Sequence, residues 1–250
     1  MVAVVTAAAQ DQWRLLDVQA HDTRLAQIAH KQRALPEHAQ IAELETRRAA
    51  IDAEVVVART AATDLARELT KAENDVEQVR QRVTRNQARL DSGQGSAKDL
   101  QGLQHELESL ANRQSVLEDV ELEIMERQEA AATALAAAQA EHEQVTQQLA
   151  EATKQRDDQL AVLETEVGTE QTARDSAAAG IPAALLTLYD KIREDSHGVG
   201  AARLYQRRCE GCRLSVPPND LNRFRSAPMD EVIRCEECRR ILVRTADSGL

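Results

Sequence analysis

Aromatic residues are nearly missing from this sequence: Trp13, Tyr189, Tyr205 and Phe224 are the four among 250 positions. Aromatic rings supply much of the buried area of compact domains, so their scarcity excludes a globular core of ordinary size. Long apolar runs are missing as well. No stretch approaches the roughly 18 consecutive apolar residues of a membrane span, and the opening Met1-Val2-Ala3-Val4-Val5 is too short, and lacks the basic flank, for an export signal. A soluble, cytoplasmic protein without membrane insertion is expected. Catalytic groupings are absent too: His21, His30, His38, His105, His142 and His197 are scattered, with no Ser/His/Asp set, phosphate-cradling glycine loop or paired-carboxylate cleft beside them. An enzyme is therefore not expected.

What remains is Ala, Leu, Val, Glu, Gln and Arg, the composition of long helices. From Leu44, apolar residues step by three and four through Ile51, Val55, Ala58, Ala62, Leu65, Leu69, Ala72, Val76, Val79, Val83 and Leu90, with Arg48 and Asn86 as polar exceptions. This is a heptad seam. It stops at Asp91-Ser92-Gly93-Gln94-Gly95-Ser96, where two glycines end one helix and Ser96 with Asp99 forms a capping box for the next. A second seam runs from Leu100 through Leu107, Leu117, Ile124, Leu135, Val145 and Leu149 to Leu163. Antiparallel pairing about the turn opposes Leu90 to Leu100 and Val83 to Leu107. Gln114, Glu121, Gln128, His142 and Arg156 interrupt the second seam and either fix register or face a further helix. Pro36 predicts a kink near the base of the hairpin.

Gly180-Ile181-Pro182 breaks the second long helix, and Pro182 suits the start of a short one over Ala183 to Arg193, expected to dock on the hairpin foot. Ser196 to Gly200 reads as a hinge. The expected organisation is an antiparallel coiled-coil hairpin over 1–180 with its turn near 91–96, a connector helix and hinge over 181–198, and a small β-rich unit over 199–250. The fold class is mainly α.

All four cysteines lie in that last unit, as Cys209-Glu-Gly-Cys212 and Cys235-Glu-Glu-Cys238 with 22 residues between the pairs. Two Cys-x-x-Cys turns together present four thiolates in a tetrahedron, the ligand set of a structural zinc ion with no position left for a reactive water. Iron also accepts four thiolates. A redox dithiol is the competing reading, disfavoured because about 50 residues build little core without a metal. Short strands are expected at Leu204–Arg208, Val232–Arg234 and Arg240–Arg244, and Asn219 is expected to cap a turn holding Leu221 and Phe224.

The formal charge is −11, yet residues 200–250 carry +3 and the remainder −14. Arg203, Arg207, Arg208, Arg213, Arg223, Arg225, Arg234, Arg239, Arg240 and Arg244 are candidate phosphate contacts for RNA or DNA, with Tyr205 and Phe224 for base stacking. Interleaved Glu210, Asp220, Asp230, Glu231, Glu236 and Glu237 argue for an ordinary solvated or protein-docking surface instead. The acidic helices would repel nucleic acid and suit protein partners, a second copy included.

Ser96-Ala-Lys-Asp-Leu-Gln-Gly-Leu-Gln-His-Glu-Leu after the turn, Leu117-Glu-Asp-Val-Glu-Leu-Glu-Ile-Met-Glu, Ile181-Pro182 with Tyr189 and Arg193, and the paired cysteines followed by Arg240-Ile-Leu-Val together resemble a bacterial family of C4-type zinc ribbon proteins with a coiled-coil hairpin, in its actinobacterial branch. Arg239 stands where that pattern has glycine. The resemblance implies a kinked antiparallel coiled coil, a zinc ribbon holding one structural Zn2+, and adaptor work, since some relatives assist flagellar or type III secretion assembly and bind RNA or protein. The function expected is a non-enzymatic zinc-binding adaptor, with a nucleic-acid-binding regulator as the alternative.

Overall fold

The computed structural model describes residues 5–250; the first four positions, which carry most of the opening stretch judged above not to be an export signal, lie outside the described residues. Helix α1 (Ala9–Arg33) ends three residues before Pro36, which opens α2 (Pro36–Asp91). A residue preceding proline is sterically kept out of the helical region, and proline at the first helical position forfeits no hydrogen bond, so the chain breaks here and restarts at once. His38 Nε2 lies 2.9 Å from the Gln32 carbonyl across the break. Helix α3 (Ala97–Ala178) follows the turn, then α4 (Ala183–Asp195), β1 (Ala201–Tyr205), β2 (Arg208–Cys209), α5 (Pro218–Ser226) and β3 (Ile241–Val243). None of the described helices is long and apolar enough to cross a membrane. The chain forms two compact units, 39–153 and the remainder.

The first unit is the helix pair of the arm. Ile51, Ala72, Val76 and Val79 of α2 are buried, as are Leu103, Leu110, Val145, Leu149 and Ala152 of α3, with most other seam residues half-buried. Two helices can cover only one stripe of each other, which is why so few positions are fully enclosed. Ion pairs across the seam, Arg82 with Glu106, Arg80 with Glu118 at 2.7 Å and Arg47 with Glu141 at 2.7 Å, run in antiparallel order. Each is exposed and contributes little stability, so their effect is on register. His142 Nε2 sits 2.9 Å from Asp52, giving one polar seam residue a cross-helix partner. At the turn, Ser96 Oγ accepts from the Asp99 N–H at 3.2 Å while Asp99 accepts from the Ser96 N–H at 3.0 Å, the reciprocal capping box.

The second unit joins the foot of the hairpin to the C-terminal segment. Leu15 and Val18 of α1, with Ile181, Leu185, Tyr189 and Ile192, pack against Ala201, Ile241 and Val243 in one core. The three strands are ordered β2-β1-β3, with β1 antiparallel to β2 and parallel to β3. All three β3 residues are buried because the strand has a layer on each side. Ile241 and Val243 join the foot core, while Leu242, pointing the other way, joins a second core with Ala202, Leu204, Phe224 and Ile233.

Three local expectations change. Val232–Arg234 forms no strand; only Arg234 makes an isolated bridge, to Ile241. Helix α5 is capped at Pro217 with Pro218 in its first turn, so Asn219 lies inside it, the rigid φ of proline having set the start. The expected Leu204–Arg208 strand is instead a hairpin: Gln206 and Arg207, at φ 45° and 63°, form the reversal between β1 and β2.

Candidate metal centre

Each cysteine pair sits on a tight turn. Cys209 opens the first, where Arg213 N donates to the Cys209 carbonyl at 2.7 Å; Cys235 opens the second, where Arg239 N donates to the Cys235 carbonyl at 2.9 Å. Arg213 and Arg239 both take left-handed backbone angles, φ 62° and 61°. Arginine at position 239 thus adopts the conformation that glycine adopts more cheaply, and the turn closes in the same way as its partner.

The four sulfur atoms lie within 4.8 Å of one another, with Cys209 Sγ 3.8 Å from Cys238 Sγ and Cys212 Sγ 3.9 Å from Cys235 Sγ. Disulfides require about 2.05 Å and would hold the pairs far closer. A tetrahedron with metal–sulfur bonds of about 2.3 Å has edges of about 3.8 Å, which the Cys209–Cys238 and Cys212–Cys235 separations match, so the cage suits zinc. One structural zinc ion accounts for the site, and four thiolates leave no coordination position for chemistry. Burial pushes the Cys209 thiol far up and raises that of Cys235. For Cys238 burial works the same way but is outweighed by the Arg240 backbone N–H, the Cys235 thiol and the Arg240 side chain, leaving it lowered. The four sulfurs meet only when both knuckles are folded, so metal binding and folding of this segment are coupled.

Gly200 permits close packing against α4, and Gly211 permits it beside Cys209 in the first knuckle. A Cβ on Gly200 would lie 2.6 Å from the Tyr189 carbonyl oxygen, and one on Gly211 would lie 2.8 Å from Arg240 Cδ.

The ten arginines are not one surface. Arg244 is buried at 6% exposure, and its guanidinium donates to the carbonyls of Phe224 (3.1 Å), Ala227 (2.8 Å), Pro228 (2.5 Å) and Glu231 (3.0 Å). Arg240, half-buried, donates to Ser196, Val199 and Gly211 carbonyls and so ties the hinge to the first knuckle. Both are corrected from phosphate contacts to internal braces, because a planar fork with five donors gathers carbonyls that regular structure leaves unpaired. Arg223 and Arg239 pair with Glu236, and Arg234 donates to the Arg239 carbonyl. Phe224 is buried beneath Arg223 and is no stacking platform. Exposed Arg208 and Arg213 share a surface depression with exposed Tyr205, Arg203 lies on the same side of β1, exposed Arg207 donates to the Gly249 carbonyl at 3.0 Å, and Arg225 stands apart on α5. His197 is exposed and outside the thiol cluster.

A buried polar network, unforeseen from sequence, joins this segment to the foot. Gln19 accepts from the Gly200 N–H at 2.7 Å and donates to the Gly198 carbonyl at 3.0 Å. Asp22 accepts from the Tyr189 hydroxyl at 2.6 Å and from Arg174 Nε at 2.8 Å. Burial, then the hydrogen bond to Asp22, push the Tyr189 phenol well above its ordinary value. Trp13 Nε1 donates to the Arg244 carbonyl at 2.7 Å. The signal was present in α1: Gln12, Gln19 and Asp22 fall with Leu15 on one helical stripe, stepping by three and four.

Known proteins share this architecture. A family model described as CT398-like coiled coil hairpin domain matches residues 18–197, and one described as C4-type zinc ribbon domain matches 208–242. An uncharacterized protein of Mycobacterium tuberculosis is 34% identical over 238 residues, 95% of this chain and 97% of the relative. A solved Mycobacterium smegmatis structure superposes with a TM-score of 0.83 at 33% identity, covering 96% of this chain and all of that one. CT398 from Chlamydia trachomatis shares the fold, with a TM-score of 0.66 at 14% identity over 94% of this chain and 98% of the other. The chain belongs to the CT398-like coiled-coil hairpin family and carries a C4-type zinc ribbon.

Proposed function

We propose that this protein is a non-enzymatic cytoplasmic adaptor whose zinc ribbon is a structural staple and whose coiled-coil arm is a partner-binding surface. The observation that carries the proposal is the arm's exterior: Val56, Val57, Val116, Val120, Leu122 and Met125 are exposed although the seam has apolar residues enough without them. Exposed apolar side chains on a helix pair suit the face of another helix. The metal cage is closed to chemistry, and its thiolates suit a reducing compartment. In cells that naturally make the protein, photo-crosslinkers placed on the arm should trap a protein partner. Val56→Glu/Val57→Glu combined with Val116→Glu/Val120→Glu should abolish the adduct while zinc content and helicity persist. Equal trapping by the variant would refute an arm-borne site.

A second reading, RNA or DNA binding by the ribbon, draws support from exposed Arg203, Arg207, Arg208 and Arg213, close to Tyr205 in the chain. Its signature would be salt-sensitive binding to mixed nucleic-acid pools, lost in Arg→Glu variants of those four residues.

A further inference from the structure

We propose that the protein self-associates by seating the ribbon tip of one copy on the outer face of α3 in a second copy. This rests on the adaptor reading only in using the arm as a docking surface.

The tip is built by the β1–β2 hairpin. Arg203 and Tyr205 alternate onto the exposed side of β1, and Arg208 lies directly across from Tyr205 in the register. Tyr205, Arg208 and Arg213 line an open depression of about 450 Å³, and Glu210 is the acid there. The reversal at Gln206 and Arg207 is fixed from behind: their N–H groups donate to the carbonyls of Asp247 (2.8 Å) and Ser248 (2.9 Å). Two consecutive left-handed residues without glycine are costly, and the C-terminal turn holds them so that the tip is preformed.

The complementary surface lies on α3. Asp119, Leu122, Glu126 and Glu129 recur at three- and four-residue steps and share one face with Met125. Leu122 is 58% exposed and Met125 46%, against 39% for Tyr205. Among the described residues, no cation pairs with Asp119, Glu126 or Glu129, whereas Glu118 next to them is held by Arg80. One surface therefore offers an aromatic ring among arginines, and the other offers a leucine and a methionine among carboxylates. Methionine and leucine pack well on an aromatic ring, and the charges fix orientation. The contact joins unlike surfaces, so it links copies head to tail.

The test is sedimentation and light scattering of zinc-loaded full-length protein at about 0.05 M and about 0.5 M salt, where screening lengths differ severalfold. Mass should exceed one protomer at low salt and fall towards it at high salt. Arg208→Glu/Arg213→Glu and Asp119→Lys/Glu126→Lys should each weaken association by about tenfold or more. Mixed one to one, the two variants should associate again, because the acidic tip of one meets the basic face of the other. Zinc content and circular dichroism establish that both variants are folded. A protein that stays monomeric at low salt, a mixture that stays dissociated, or association that nuclease abolishes would overturn the proposal. Monomeric protein that still yields the arm crosslink would leave the adaptor reading standing.

Discussion

Replacing Arg244 with alanine should unfold the ribbon more readily without touching a metal ligand. The guanidinium donates to four carbonyls in the segment from Phe224 to Glu231, which connects α5 to the second knuckle. No carboxylate lies within ion-pair distance among the described residues, and burial lowers the pKa of the group against the more distant Glu231 and Asp230. Its net contribution therefore comes from the carbonyls. An unsatisfied buried acceptor costs about 1–3 kcal/mol, so four set an upper bound of about 12 kcal/mol. Pro228 is exposed and Glu231 half-buried, so water reaches part of this segment once the side chain is gone. Removing the buried cation also relieves its desolvation cost, which brings the expected loss to about 3–5 kcal/mol, a large fraction of the 5–15 kcal/mol typical of a folded domain. Lysine, a point donor without the fork, should recover less than half. The assay is denaturant unfolding of zinc-loaded protein followed by the fluorescence of Trp13, the single tryptophan, whose indole donates to the Arg244 backbone carbonyl that the substitution retains. Zinc release to a colorimetric chelator gives the second readout and should accelerate. Stability within about 0.5 kcal/mol of wild type, together with unchanged zinc release, would refute the brace and return Arg244 to the surface.

Cys235→Ser, or strong chelation, should remove stoichiometric zinc and change Trp13 emission while the helical signal of the arm persists, because Ile241 and Val243 belong to the core that holds Leu15 and Leu185; a Trp13 signal indifferent to zinc would show the foot to be independent. The Tyr189 phenol has a raised pKa in the folded state, so its stabilisation is complete below the unfolded value of about 10 and is lost as pH rises above it. Tyr189→Phe should therefore cost about 1–2 kcal/mol near neutrality and flatten the alkaline limb of a stability–pH curve; an unchanged limb would assign that limb to other groups. Gly200→Ala should cost about 1–3 kcal/mol by overpacking against Tyr189, measured as a lower midpoint in thermal melts, and a neutral result would mean that the backbone at 200 can yield.

The arm and the metal ligands were legible in the sequence for different reasons. Heptad stepping and the Ser96–Asp99 box are local patterns with local causes, and each reappears in the structure at the stated residues. The cysteine spacing was legible because a tetrahedral site demands paired turns. Local strand propensity was less reliable. Val232–Arg234 has the composition of a strand, yet its pairing stops at the single Arg234–Ile241 bridge and Ile233 is buried in the ribbon core, while the two-residue β2 forms at a knuckle because the cage holds it there.

The arginines mark the limit. In the sequence Arg203, Arg240 and Arg244 look alike, ten guanidinium groups in a segment of +3 charge. Their roles depend on which carbonyls the folded chain leaves unpaired nearby, and those carbonyls come from residues up to 44 positions away. The same holds for Gln19 and Asp22, whose partners are set by where α4 and the hinge dock. Periodicity and ligand spacing are properties of neighbouring residues, so the sequence by itself determined the helical hairpin, its turn and the four-thiolate zinc site. Hydrogen-bond satisfaction in a buried interface is a property of distant segments brought together, so only the tertiary structure decided that the ribbon is fastened to the foot and which of its arginines still face solvent.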